Sequence, residues 1–152
     1  MTTAPNEESS RVIVGIDGSP ESKQALRWAA HFADSSGAHL IAVTAWEYPA
    51  TLGWAAWPQE WDPSALARTT LANTVDEVLG PKPPQEIELL VRQGSAAGTL
   101  LEESKSAVLL VVGSRGHGGF TGMLLGSVSA NVAEHAACPV LVVHGDKLPF
   151  PS

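Results

Sequence analysis

A chain of 152 residues, 44% apolar and 16% charged, is sized for one domain with a buried core. A net charge of −7 and a pI near 5.1 exclude nucleic-acid binding by clustered Lys and Arg. No apolar run approaches the ~20 residues that a membrane-spanning helix requires. Residues 1–10 are polar, without the apolar stretch of a secretory leader. Cys138 is the one cysteine and has no internal disulfide partner; standing before Pro139 at the foot of an apolar run, it reads as a packed, inert thiol. These features together predict a cytoplasmic protein.

In chain order, residues 1–10 are expected to form a disordered tail and residues 11–145 the domain, with a short tail over 146–152. Residues 11–17 (Arg-Val-Ile-Val-Gly-Ile-Asp) predict a buried strand that ends in a carboxylate. Ser19 and Pro20 predict a helix start, as N-cap and first helical residue. Leu26, Ala29, Ala30 and Ala33 supply its apolar stripe, and Gly37 its stop. Residues 39–46 predict the second strand. A second helix opens at Asp62-Pro63, carries Ala67, Leu71, Val75 and Val78 on one face, and ends at Gly80-Pro81. Residues 86–92 predict the third strand, and Gly94-Ser95 leads into a helix through Leu100 and Leu101. Residues 108–113 predict the fourth strand, 127–137 the fourth helix and 139–144 the fifth strand. Strands alternating with helices signal an α/β fold with a parallel sheet and right-handed crossovers. In such sheets ligands sit beyond the carboxyl ends of the strands, where strand order reverses.

The chemistry-bearing stretch runs from Val108 to Ser129. An unbroken apolar run stops at Gly113, a glycine-dense loop follows, and Gly126-Ser127 opens a segment with helical spacing. Strand, glycine loop and helix N-terminus together suit phosphate. Glycine lets the backbone approach, and the first helical N–H groups lack intrahelical acceptors. Ser127 caps the helix or donates its hydroxyl to an anion, and Ser129 adds a second hydroxyl. The loop is not a Walker A motif, since it holds no lysine, and it does not complete G-x-G-x-x-G, because Thr121 stands at the last position.

The spacing is Gly113, two residues, Gly116, nine residues, Gly126-Ser127. It resembles the nucleotide-binding signature of the universal stress protein family, in its ATP-binding branch. Val-Gly-Ile-Asp-Gly-Ser at residues 14–19 looks like that family's first motif. The resemblance implies a three-layer, Rossmann-like sheet of five mainly parallel strands, similar to adenine nucleotide alpha hydrolases. Its implied strand order is 3-2-1-4-5, with helices on both faces and the nucleotide between strands 1 and 4. It implies ATP or AMP as ligand, with Mg²⁺ bound through the phosphates. By the same resemblance Gly113, Gly116, Gly126, Ser127, Val128 and Ser129 contact the nucleotide, with Val112 and Arg115 as backbone or flanking neighbours. Gly15 and Ile16 come with Asp17 as backbone contributors, and the Ala45 main chain meets adenine. The family's use of its last strand implies a homodimer through residues 139–144, and an apolar edge strand (Val140 to Val143) tends to pair with something.

Asp17 has two readings: a carboxylate capping the following turn, or a ribose or adenine contact, toward which the first motif tips it. The five histidines, His31, His39, His117, His135 and His144, lack metal-ligand spacing. His117 lies in the glycine loop and His135 in a last helical turn, where positive charge is favoured. Four of the five tryptophans crowd residues 46–61, which suits a cap on the sheet edge or a dimer contact more than a lid over the base. No Ser, His and Asp fall into a triad pattern, and the cations a phosphoryl transfer would draw on in the loop are Arg115 and His117. The resemblance accordingly implies a regulatory protein of the universal stress type that binds adenine nucleotide and acts through the bound state. The alternatives are a slow ATP-hydrolysing or adenylyl-transferring enzyme, and a dimeric module for AMP or cyclic AMP.

Overall fold

The computed structural model describes residues 10–48, 62–81, 86–115, 125–145 and 148–149. Residues 1–9 of the expected N-terminal tail, most of the C-terminal tail, Trp54, Trp57, Trp61, Gly116 and His117 fall outside the described residues. The elements alternate as expected: β1 (Arg11–Gly15), α1 (Pro20–Ser36), β2 (His39–Trp46), α2 (Pro63–Leu79), β3 (Ile87–Gln93), α3 (Ala96–Ser104), β4 (Leu109–Gly113), α4 (Ser127–His135) and β5 (Val140–Val143).

The strands form one sheet in the order β3-β2-β1-β4-β5, and every pairing is parallel. Strand order reverses between β1 and β4. Because each central strand is covered on both sides, its alternate residues enter two separate cores. Val12, Val14, Leu40, Ala42 and Val111 pack with Leu26, Ala29 and Ala33 of α1 and Leu71 and Val75 of α2. Ile13, Ile41, Val43, Leu110 and Val112 pack on the opposite face with Leu100 of α3 and Val132 of α4. The predicted stripe of α1 is buried at Leu26, Ala29, Ala30 and Ala33. In α2 the predicted stripe is buried at Ala67, Leu71 and Val75, with Val78 packed against it.

Helix ends follow the local chemistry. Ser19, Asp62 and Ser95 cap α1, α2 and α3 by accepting hydrogen bonds from Ser22 N, Ala65 N and Gly98 N. Gly37 closes α1 with φ +74°, a left-handed conformation for which glycine carries no Cβ penalty. Several expected boundaries shift by a residue or two: β3 runs over 87–93 rather than 86–92, β4 begins at Leu109 rather than Val108, and β5 spans Val140–Val143 rather than 139–144. The β1 ladder stops at Gly15, so Ile16 and Asp17 run beyond it. Helix α4 ends at His135, where Ala136 turns extended (ψ 150°), two residues short of the expected end. Among the described residues no helix is long and apolar enough to cross a membrane.

Candidate functional site

The reversal between β1 and β4 sets the position of the site. The last pairing of the two strands is Val14 with Val111. Continued by two residues, that register sets Ile16 level with Gly113, with Asp17 and Ser114 just beyond. The residues expected at the ends of strands 1 and 4 therefore share one rim of the sheet.

Each has a local reason for its place. Ile16 is buried, and its N–H donates to the Val43 carbonyl at 2.9 Å. Its own carbonyl accepts from the hydroxyl of Thr44 at 2.9 Å. Asp17 is exposed at the rim, and its Oδ1 accepts from the Ser19 N–H at 2.9 Å. The turn-capping reading of Asp17 is thus present in the structure, and exposure keeps the carboxylate at the open end of the crevice. Gly18 takes φ +84°, which lets the chain turn sharply into α1. Gly15 is narrow for another reason: a Cβ there would lie 2.9 Å from Leu100 Cδ1 of α3.

Ala45 owes its place to strand alternation. The Val43 carbonyl faces β1, so the main-chain groups of Ala45, two residues on, face the same way. They do so past Gly15–Val43, the last β1–β2 pairing. A main-chain donor and acceptor thus face the crevice just beyond the end of the ladder, as required of a residue that reads a base through its backbone. The next residue, Trp46, meets Tyr48 edge-to-face with centroids 5.4 Å apart.

On the β4 side Val112 is buried in the sheet, Ser114 is buried and Arg115 is exposed. Ser114 joins three elements. Its N–H donates to the Val143 carbonyl at 2.7 Å. Its carbonyl accepts from the Gly126 N–H at 2.6 Å and from the Ser129 hydroxyl at 2.7 Å. The two ends of the glycine loop are thereby tied together, which sets the start of α4 beside the end of β4. Ser129, expected as a second anion-binding hydroxyl, is buried and commits its proton to this tie, with the Gly126 carbonyl a second acceptor at 3.1 Å. Val128 is half-buried and packs on the α3/α4 core.

The start of α4 differs from the other three. Gly126, not Ser127, is the N-cap (φ −71°, ψ 168°), and it makes no side-chain cap bond. Ser127 is the first helical residue and is exposed. A helix start without a side-chain cap presents its first N–H groups and the positive end of its dipole to whatever lies in front.

Two contributors were missed by reading the sequence. Thr44 is a buried hydroxyl in an otherwise apolar strand run, and that irregularity is its signal. Ser114 had none, because its role is made by main-chain atoms. Among the described residues, no group of three or more His, Cys, Asp and Glu is arranged to hold a metal ion. Burial pushes the Cys138 thiol above its ordinary pKa and so disfavours the reactive thiolate, an effect offset in part by a hydrogen bond with the Leu110 backbone.

The family model described as "Universal stress protein family" matches residues 8–144. The chain belongs to the universal stress protein family. A universal stress protein of Mycolicibacterium smegmatis is 40% identical over 144 residues, covering 92% of this chain and 47% of the relative. One of Mycobacterium tuberculosis is 34% identical over 148 residues, covering 92% and 49%. The chain thus spans about half the length of these curated relatives. Among solved structures, a universal stress protein in complex with cAMP is 33% identical, with a TM-score of 0.67, covering 89% of this chain and 96% of that one. The universal stress protein UspA from Lactobacillus plantarum, 20% identical with a TM-score of 0.72, covers 90% and 98% and shows the same fold.

Proposed function

We propose that this universal stress protein binds an adenine nucleotide, ATP or AMP, in the crevice between β1 and β4. It acts in a cytoplasmic stress response through the bound state rather than through turnover. The observation that carries the reading is the meeting, at the strand-order reversal, of Asp17 and Gly113 with a helix start capped by a glycine. The N-terminus of α4 and the glycine loop, Gly116 included, hold the phosphates, with Ser127 donating its exposed hydroxyl. Asp17 and Gly113 hold the ribose. Gly15, Ile16 and the Ala45 main chain line the base side, with Val112, Arg115, Val128 and Ser129 as flanking supports.

Mg²⁺ enters with the phosphates. It is a hard cation that keeps most of its water and binds through substrate phosphates rather than a dedicated protein cage. That fits a rim whose described residues contain no acidic or histidine cluster. When bound, the ion offsets the triphosphate charge, which a chain of net charge −7 does little to neutralise. A second reading, a module for AMP or cyclic AMP, is favoured by the 33% identical relative solved with cAMP. In either case the open edge of β5 pairs two copies into a homodimer.

The test is mass analysis of small molecules released on denaturing the purified protein, followed by calorimetric titration with Mg-ATP, AMP and cyclic AMP. Co-purifying ATP, or tightest binding of Mg-ATP, supports the first reading; preference for AMP or cyclic AMP selects the second. No release and no heat with all three overturns both.

A further inference from the structure

We infer that the hydroxyl of Thr44 positions Asp17, and through it the ribose side of the crevice; the binding part of this inference rests on the nucleotide reading above. Asp17 is attached to the sheet by a single peptide group, which contains the Ile16 carbonyl and the Asp17 N–H. The orientation of that plane decides where the Asp17 Cα–Cβ bond points. The β1 ladder has already ended at Gly15, so regular strand pairing does not hold the plane. Thr44 does so instead, reaching from β2 to donate to the Ile16 carbonyl at 2.9 Å. On the near side the Ile16 N–H is held by Val43 at 2.9 Å. On the far side the Asp17 N–H donates to the Ser22 hydroxyl over a longer 3.4 Å. The Thr44 bond is a short, buried restraint on this plane.

The arrangement reaches the carboxylate. Ser19 N–H donates to Asp17 Oδ1 at 2.9 Å, and the Ser19 hydroxyl in turn caps α1 by accepting from Ser22 N at 3.2 Å. If the Ile16–Asp17 plane rotates, that carboxylate leaves both Ser19 and the rim. Thr44 is 6% exposed, so water cannot readily replace its hydroxyl. Valine keeps the branched shape and removes the donor, whereas serine keeps the donor and removes the methyl group. Thr44 is a positioning residue and need not touch the ligand.

The experiment compares wild type, Thr44→Val and Thr44→Ser, each alone and combined with Asp17→Ala. Without ligand, amide hydrogen exchange is read at Ser19, whose N–H reports the Asp17 carboxylate. Thr44→Val should speed it by about fivefold or more, the scale of one lost neutral hydrogen bond, and Thr44→Ser should stay within about twofold of wild type. With Mg-ATP and AMP as probes, Thr44→Val should weaken binding about five- to tenfold, with Thr44→Ser restoring it. In the Asp17→Ala background the same change should cost less than about twofold, because two residues acting through one contact are not additive. Unchanged exchange at Ser19 in Thr44→Val overturns the positioning role, and so does an equal binding penalty in both backgrounds. If wild type binds neither probe, the nucleotide reading falls, and the exchange at Ser19 alone still decides the positioning of Asp17.

Discussion

A Cβ on Gly113 would lie 2.6 Å from the Cβ of Glu21 and 2.8 Å from its carbonyl carbon. The last residue of β4 therefore lies directly against the first turn of α1, with no room for a side chain between them. This explains the glycine independently of any ligand. The motif position serves helix packing, and the same close approach brings the start of α1 to the rim of the crevice.

Gly113→Ala should accordingly destabilise the protein by about 1–3 kcal/mol, the scale of overpacking, because part of what the methyl group meets is backbone. Gly15→Ala should cost less, about 1 kcal/mol or below. Its obstruction, 2.9 Å away, is Leu100 Cδ1, the far end of a side chain that can change rotamer. Urea denaturation of both variants measures the difference. A Gly113→Ala variant as stable as wild type would remove the packing explanation.

Association should depend on the main chain of β5. The carbonyls of Pro139 and Val143 face β4, where they accept from Leu110 N at 3.0 Å and Ser114 N at 2.7 Å. Alternation then turns the N–H and C=O groups of Val140 and Val142 to the open edge. Val142→Pro removes one outward N–H and leaves the β4 ladder intact, so circular dichroism should show a folded chain. Light scattering should show a dimer for wild type and a shift toward monomer for the variant. A monomeric wild type refutes the pairing.

Bound ATP should be hydrolysed slowly, on the order of turnovers per hour, like nucleotide switches that lack a cation clamp. Residues 114–125 contain no lysine, and Arg115 is exposed. N–H dipoles, hydroxyls and one metal ion suffice to hold a ground-state triphosphate. Faster transfer needs positive charge that tightens on the transition state, worth ~10³–10⁵ in rate when an arginine supplies it. Gly126→Val is the control. The backbone at φ −71° accepts valine, and the added side chain intrudes where the phosphates are proposed to sit, so binding should be lost in a folded protein. A phosphate-release assay decides: turnover near ~1 s⁻¹ in wild type, absent in the control, would make this an enzyme.

Much of the fold was legible because its causes are local. Unbroken apolar runs marked β1 and β4 as buried strands. Ser19-Pro20, Gly37, Asp62-Pro63 and Gly80-Pro81 act within a turn of themselves, so the ends they predict are the ends observed. Gly126 is the instructive miss. The helix starts at Ser127 as expected, but although Ser127 has the better capping side chain the N-cap is Gly126, whose N–H is bound to the Ser114 carbonyl.

By itself the sequence determined which segments become strands and helices, and that a glycine loop leads from a strand into a helix. Those outcomes depend on torsional preference and on the period of apolar residues, which neighbours along the chain settle among themselves. Periodicity left strand order open, and only the family resemblance supplied it. In the structure, parallel register between residues nearly a hundred positions apart brings Ile16 level with Gly113. The tertiary structure alone decided the uses of individual groups: Thr44 holding the Ile16 carbonyl, Ser129 tying off Ser114, Glu21 filling the space beside Gly113. The first two are hydrogen bonds of 2.9 and 2.7 Å, and in the third a Cβ added to Gly113 would fall within 3 Å of Glu21; the partners are far apart in the chain or, at Ser129 and Ser114, on opposite sides of the glycine loop. Such contacts depend on how two faces pack, and no pattern within one segment encodes that packing.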